Sequence, residues 1–144
     1  MKSIEMELSY MKKFDNYVRQ LNVLKKAYDE DMDNEFIISG IIDKFSLQFE
    51  LGWKVLKELL VYEGESRAKT GSPREILKAS YAYFGFLDED VWLSMLRDRN
   101  DTSHIYNGNQ AKELARMILD RYIPAFIDLK VKIEEKYEDV LNEL

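Results

Sequence analysis

The sequence has no cysteine and a single histidine among its 144 residues. The first absence excludes disulfides, thiolate metal sites and a cysteine nucleophile, and it agrees with a reducing cytoplasm. The second leaves one side chain that exchanges protons near neutral pH without a shifted pKa. Two prolines and six glycines are too few to punctuate a hairpin-rich fold, so helices are favoured. No apolar run approaches the roughly 20 residues of a membrane span. The start, Met1-Lys2-Ser3-Ile4-Glu5-Met6-Glu7, lacks the unbroken apolar core of a signal peptide. Positive charge is also short. With 21 Lys and Arg against 27 Asp and Glu, the formal net charge is −6, which argues against a general nucleic-acid coat. Any RNA contact needs a local basic patch, supplied partly by a partner.

What is present reads as one globular domain over residues 1–144, with 46% hydrophobic residues and length enough to bury a core. Over residues 4–29, Leu8, Met11, Phe14, Tyr17, Val18, Leu21, Leu24, Ala27 and Tyr28 recur at the helical period. Over 35–62, Ile38, Ile42, Phe45, Phe49, Trp53, Leu56 and Leu60 trace a stripe that Ile37, Ile41, Leu51, Val55 and Leu59 widen. A helix apolar over that much of its girth is expected at the centre, touching several neighbours. Gly52 lies within it at a cost of about 1 kcal/mol against alanine, a cost that close helix approach would offset.

Residues 63–72 show no period and read as a loop. Ser72-Pro73-Arg74-Glu75 is a capping box with proline at the first helical position; the helix it opens runs through Ile76, Leu77, Ser80 and Tyr83 to Gly85. Asp88 or Asp90 caps a fourth helix that buries Val91, Trp92, Met95 and Leu96. A polar stretch from Arg99 to Gly108 follows. The last helix starts near Asn109, buries Leu114, Ala115, Ile118, Tyr122, Phe126 and Leu129, and is kinked by Pro124. The acidic run from Glu134 to Asp139 reads as an exposed helical face. The fold class is all-α: an up-and-down bundle of about five helices.

The histidine lies in Arg99-Asn100-Asp101-Thr102-Ser103-His104-Ile105-Tyr106. On a regular helix Arg99 and His104 are separated by about 140° and share no face. They converge only if the helix ends or distorts near Asn100 and Asp101, whose side chains compete for backbone hydrogen bonds, or if a second subunit supplies the matching residue. The chemistry such a pair suits is phosphodiester cleavage. The histidine moves a proton at a ribose 2′-hydroxyl or at the leaving oxygen, the arginine fork holds the phosphate, and no metal or cofactor is required. The alternative is that both side chains merely satisfy groups at a helix end.

The run from Trp92 to Asn107, with Arg99, Asn100 and His104 followed by Tyr106, resembles the signature of the nucleotidyltransferase substrate-binding protein family, within the HEPN superfamily and its HepT-like toxin branch. Phe45, Phe49, Glu50, Leu51, Trp53, Lys54, Leu56 and Lys57 resemble a second block of that family, and Ser72-Pro73-Arg74 resembles its next helix start. The similarity spans most of residues 10–130, and Ser46 departs from it where glutamate is expected.

The resemblance implies a four-helix-like bundle with an extra helix, a homodimer, and a separately encoded minimal nucleotidyltransferase as partner. For the toxin branch it implies a metal-independent ribonuclease, with Arg99 and His104 catalytic and Asn100 orienting them or the substrate. Tyr106 resembles the tyrosine that the partner modifies with AMP, a bulky anion that would block an incoming phosphate. A non-catalytic subunit that presents substrate to the nucleotidyltransferase is the competing reading, and a scaffold with a vestigial site is a third. Arg67, Lys69 and Arg74 are candidates for the basic patch, against a plain solvated loop. Glu50 reads as a structural partner of Lys54 or a neighbour of the site. Trp53 and Trp92 read as core anchors.

Overall fold

The computed structural model describes residues 4–105 and 107–138. Among them there are helices and no strands: α1 Ile4–Leu24, α2 Glu35–Tyr62, α3 Pro73–Phe84, α4 Glu89–Asp101, α5 Gly108–Met117 and α6 Ile123–Lys136. Since α5 and α6 continue one another through a π turn at Ile118–Tyr122, the chain forms an all-α bundle of five helical rods. No described helix is long and apolar enough to cross a membrane.

The caps follow the local chemistry. Asn34, Ser72, Asp88 and Asn107 each accept a first-turn N–H, and Ser72 with Glu75 completes the capping box. Gly85 closes α3 at φ 73°, a left-handed value that glycine adopts without a Cβ penalty. The first helical period ends early: α1 stops at Leu24, and a 3₁₀ turn continues to Asp29.

α2 is the central rod, packed against α1, α3, α4 and α5. Ile38, Phe45, Phe49, Trp53, Leu56 and Leu60 are all buried along it. A Cβ built on Gly52 would lie 2.8 Å from the Trp92 ring and 3.2 Å from that of Tyr17. The missing side chain therefore lets α4 lay its tryptophan directly on the α2 backbone.

Several expected faces are corrected. Leu8 is 47% exposed, whereas Tyr10, absent from the expected stripe, is completely buried. Tyr10, Phe14, Tyr17, Leu21 and Leu24 advance by alternating steps of four and three, which is the true seam of α1. Tyr83 and Tyr28 are exposed, and Leu96 is only half-buried. Tyr137, expected on an exposed acidic face, is buried, and its hydroxyl donates to Glu63 at 2.8 Å.

Pro124 does not end the last helix, and the disturbance takes the form of the π turn before it. The Ile123 N–H reaches back to the carbonyl of Ile118, five residues away rather than four. Leu119 then has neither its usual donor nor an N–H from Pro124. Its carbonyl instead accepts the hydroxyl of Tyr28 at 2.6 Å. Tyr28 is half exposed because its task is to reach across to that carbonyl.

Candidate functional site

The polar segment ends α4 between Arg99 and His104. α4 ends at Asp101 and a 3₁₀ turn covers Thr102–His104. The agent is Thr102, not the side chains of Asn100 or Asp101: its hydroxyl and its N–H both bond the carbonyl of Arg99, the hydroxyl at 2.9 Å. A carbonyl taken at i+3 tightens the helix and turns the chain out of it.

Arg99 is held from two sides. Its guanidinium lies 2.9 Å from Glu50 Oε1 and 5.3 Å from the centre of the Phe49 ring. Both partners come from one turn of α2. Lys54, one turn on, approaches the other Glu50 oxygen at 3.6 Å, so Glu50 serves the helix pair and the site together. The Nε of Arg99 is buried and has no hydrogen-bond partner among the described residues.

Arg99 lines an open groove of about 440 Å³ between the start of α3 and the end of α4, together with Arg74, Arg97, Asn100, Leu93 and Leu96. His104 is exposed and lines a different cleft, of about 560 Å³, with Arg97, Asp98, Asp101, Gln110 and Glu113. The broken helix thus does not by itself bring Arg99 and His104 into one cavity. The wall common to both cavities is Arg97, which the sequence reading passed over.

Arg74 and Asn100 are brought to Arg99; Arg67 and Lys69 are not. These last two are exposed on a 3₁₀ turn, Ser66–Thr70, outside the groove lining. Tyr106 lies outside the described residues. Trp53 and Trp92 are buried in the core as expected.

Asp98 and Tyr122 were also not anticipated. The Tyr122 hydroxyl, on the π turn, donates to Asp98 Oδ2, fixing that carboxylate at the edge of the His104 cleft. Burial, and then the bond to Asp98, hold the Tyr122 phenol well above its ordinary range, so it stays protonated and remains a donor. Spacing alone offered no signal for this pair, because Tyr122 falls on the core stripe. Among the described residues, no group of three or more His, Cys, Asp or Glu side chains is placed to hold a metal ion.

A family model described as "Nucleotidyltransferase substrate binding protein like" matches residues 12–135. No curated protein matches the sequence.

Proposed function

The chain belongs to the nucleotidyltransferase substrate-binding protein family, and from that premise we propose that it is the helical partner of a minimal nucleotidyltransferase and carries a HEPN-type ribonuclease site assembled by two copies of the chain. The observation that carries this reading is the state of the two key side chains at the end of α4. Arg99 is fixed by Glu50 and Phe49 beside an open groove, while His104 stands exposed past the break in the helix. A second subunit that brings its own segment against this one would set a histidine beside a pre-oriented arginine.

In the reaction, a ribose 2′-oxygen attacks the neighbouring phosphorus and the bond to the 5′-oxygen breaks, leaving a 2′,3′-cyclic phosphate. One proton leaves the 2′-hydroxyl and one is given to the departing oxygen. His104 of one copy takes the first and His104 of the other supplies the second. Arg99 holds the phosphate and stabilises its developing charge, and Asn100 orients the phosphate beside it. Transfer of AMP from ATP to the Tyr106 hydroxyl by the partner, with release of pyrophosphate, places an anion two residues from His104 and shuts the site.

The purified chain, incubated with small RNAs in chelator, should cleave them, and His104→Ala or Arg99→Ala should abolish cleavage. Cleavage unchanged in both variants rejects this site. Incubation with ATP and the partner should add the mass of AMP to Tyr106, and an unmodified tyrosine beside an active partner rejects the switch. The second reading, a subunit that only presents substrate, is favoured by the separation of Arg99 and His104 into different cavities. It expects binding without cleavage.

A further inference from the structure

Tyr122 is completely buried, and its ring stacks on that of Phe45 with 5.2 Å between centres. For that packing alone a phenylalanine would serve. The hydroxyl is what distinguishes the residue, and a hydroxyl inside a core needs a partner. It donates to Oδ2 of Asp98, in the last turn of α4. The other carboxylate oxygen lies 3.5 Å from Nε of Arg97. Both Asp98 and Arg97 line the cleft that holds His104.

Tyr122 reaches Asp98 from the π turn Ile118–Tyr122. On a regular helix Tyr122 would stand about 80° around the axis from Leu114. The wider turn brings the two back to one face, and both are buried. The same turn deprives the Leu119 carbonyl of its backbone donor, and the hydroxyl of Tyr28 replaces it. Single π turns inside helices recur at functional sites. Here the contacts form one series: Tyr28 supports the turn, the turn presents Tyr122, and Tyr122 fixes Asp98.

The next residue of α4 is held from another side. Arg99 lies about 100° around the helix from Asp98 and meets Glu50 of α2 at 2.9 Å. The last turn of α4 is therefore tied to two different rods. Helix ends ordinarily fray, but this one is clamped on two faces. Thr102 then bonds back to the Arg99 carbonyl and turns the chain toward His104.

We propose that Tyr122 and Asp98 are positioning residues, which together fix the end of α4 and thereby the place of His104 in its cleft. Neither moves a proton or holds a phosphate in the reaction. The effect on rate rests on the ribonuclease reading; the effect on His104 itself does not.

The test uses the full chain and two kinds of measurement. The chain has a single histidine, so its ring proton on Cε1 gives one NMR resonance that needs no further assignment. Tyr122→Phe keeps the ring and removes the hydroxyl, Asp98→Ala removes the acceptor, and Asp98→Asn keeps an acceptor. Tyr122→Phe and Asp98→Ala are expected to shift and broaden the His104 resonance. Both should speed amide exchange over residues 98–104 about tenfold, with α2 unchanged. Asp98→Asn should stay close to the parent. In RNA cleavage, kcat should fall about tenfold in the first two variants, with KM within about twofold. The control is Tyr137→Phe, which loses another phenol-to-carboxylate bond, to Glu63 after the end of α2. It should leave the His104 resonance in place. A His104 resonance unmoved in both Tyr122→Phe and Asp98→Ala overturns the proposal. So does an equal change in Tyr137→Phe, because general loss of stability then suffices, and so does a loss confined to KM. A parent that cleaves no RNA rejects the ribonuclease reading, while a His104 resonance that still depends on Tyr122 keeps the positioning pair.

Discussion

Glu50 on the central helix and Arg99 at the end of α4 meet at 2.9 Å, and this pair joins the two sequence blocks that the family resemblance treats separately. Two residues further along α2, Gly52 admits the Trp92 ring of the same helix α4. Each partner keeps only about a third or less of its side-chain surface exposed, 27% for Arg99 and 31% for Glu50.

On the proposed ribonuclease reading, Glu50→Ala is expected to lower RNA cleavage about tenfold while costing on the order of 1 kcal/mol of stability, as a partly exposed ion pair allows. Glu50→Gln, which still accepts a hydrogen bond, should recover much of the rate. Adding Glu50→Ala to Arg99→Ala should lower cleavage no further, because the two act as one unit. Kinetics paired with urea denaturation decide the matter.

Gly52→Ala reverses the usual sign of a glycine replacement in a helix. Propensity alone would stabilise by about 1 kcal/mol, but the new methyl meets the Trp92 ring at 2.8 Å. A net loss of about 1–3 kcal/mol is expected from overpacking. Trp92→Phe in the same chain should relieve part of it, and the coupling is read from a double-mutant cycle of denaturation midpoints.

Tyr28→Phe should cost about 1 kcal/mol although the ring is half exposed, since it leaves the Leu119 carbonyl without its donor. Thermal unfolding measures this directly. A variant as stable as the parent would mean that water serves that carbonyl equally well.

The tyrosines make alkaline pH the sensitive side. Burial is the first cause raising Tyr10, Tyr122 and Tyr137; charges of Tyr62 and Glu7 add for Tyr10, and hydrogen bonds to Asp98 and Glu63 add for the other two. A folded pKa above the unfolded one gives stability that is whole below about pH 10 and is lost as pH rises through the folded values. The unfolding midpoint should be little affected by these groups from about pH 7 to about pH 10 and fall above that. Tyr137→Phe should make the fall shallower.

Much of the fold was legible because its signals are local. Ser72, Pro73, Arg74 and Glu75 lie in one turn, and Gly85 ends the helix they begin. The face of α1 was harder, since tyrosine carries a hydroxyl and Tyr10 was passed over in favour of Leu8. The π turn left a trace in spacing: Leu114, Ile118, Tyr122 and Phe126 advance by fours, which on a regular helix drifts by about 120°. A wider turn cancels that drift, and all four residues are buried.

At the site, the sequence alone placed the histidine, the arginine and a break in the helix between them, because capping and hydrogen-bond competition act within a few residues. It also marked Gly52 as a point of close approach. Which side chains share a cavity was decided only when α3 and α4 packed on α2. That packing set Arg74 beside Arg99, left Arg67 and Lys69 outside, turned Glu50 onto the guanidinium, and made Arg97 the wall between two clefts. Helix periodicity fixes which residues face inward, but the meeting of side chains from different rods depends on interaxial distance and rotation, and here the contact of one glycine with one tryptophan helps to set both.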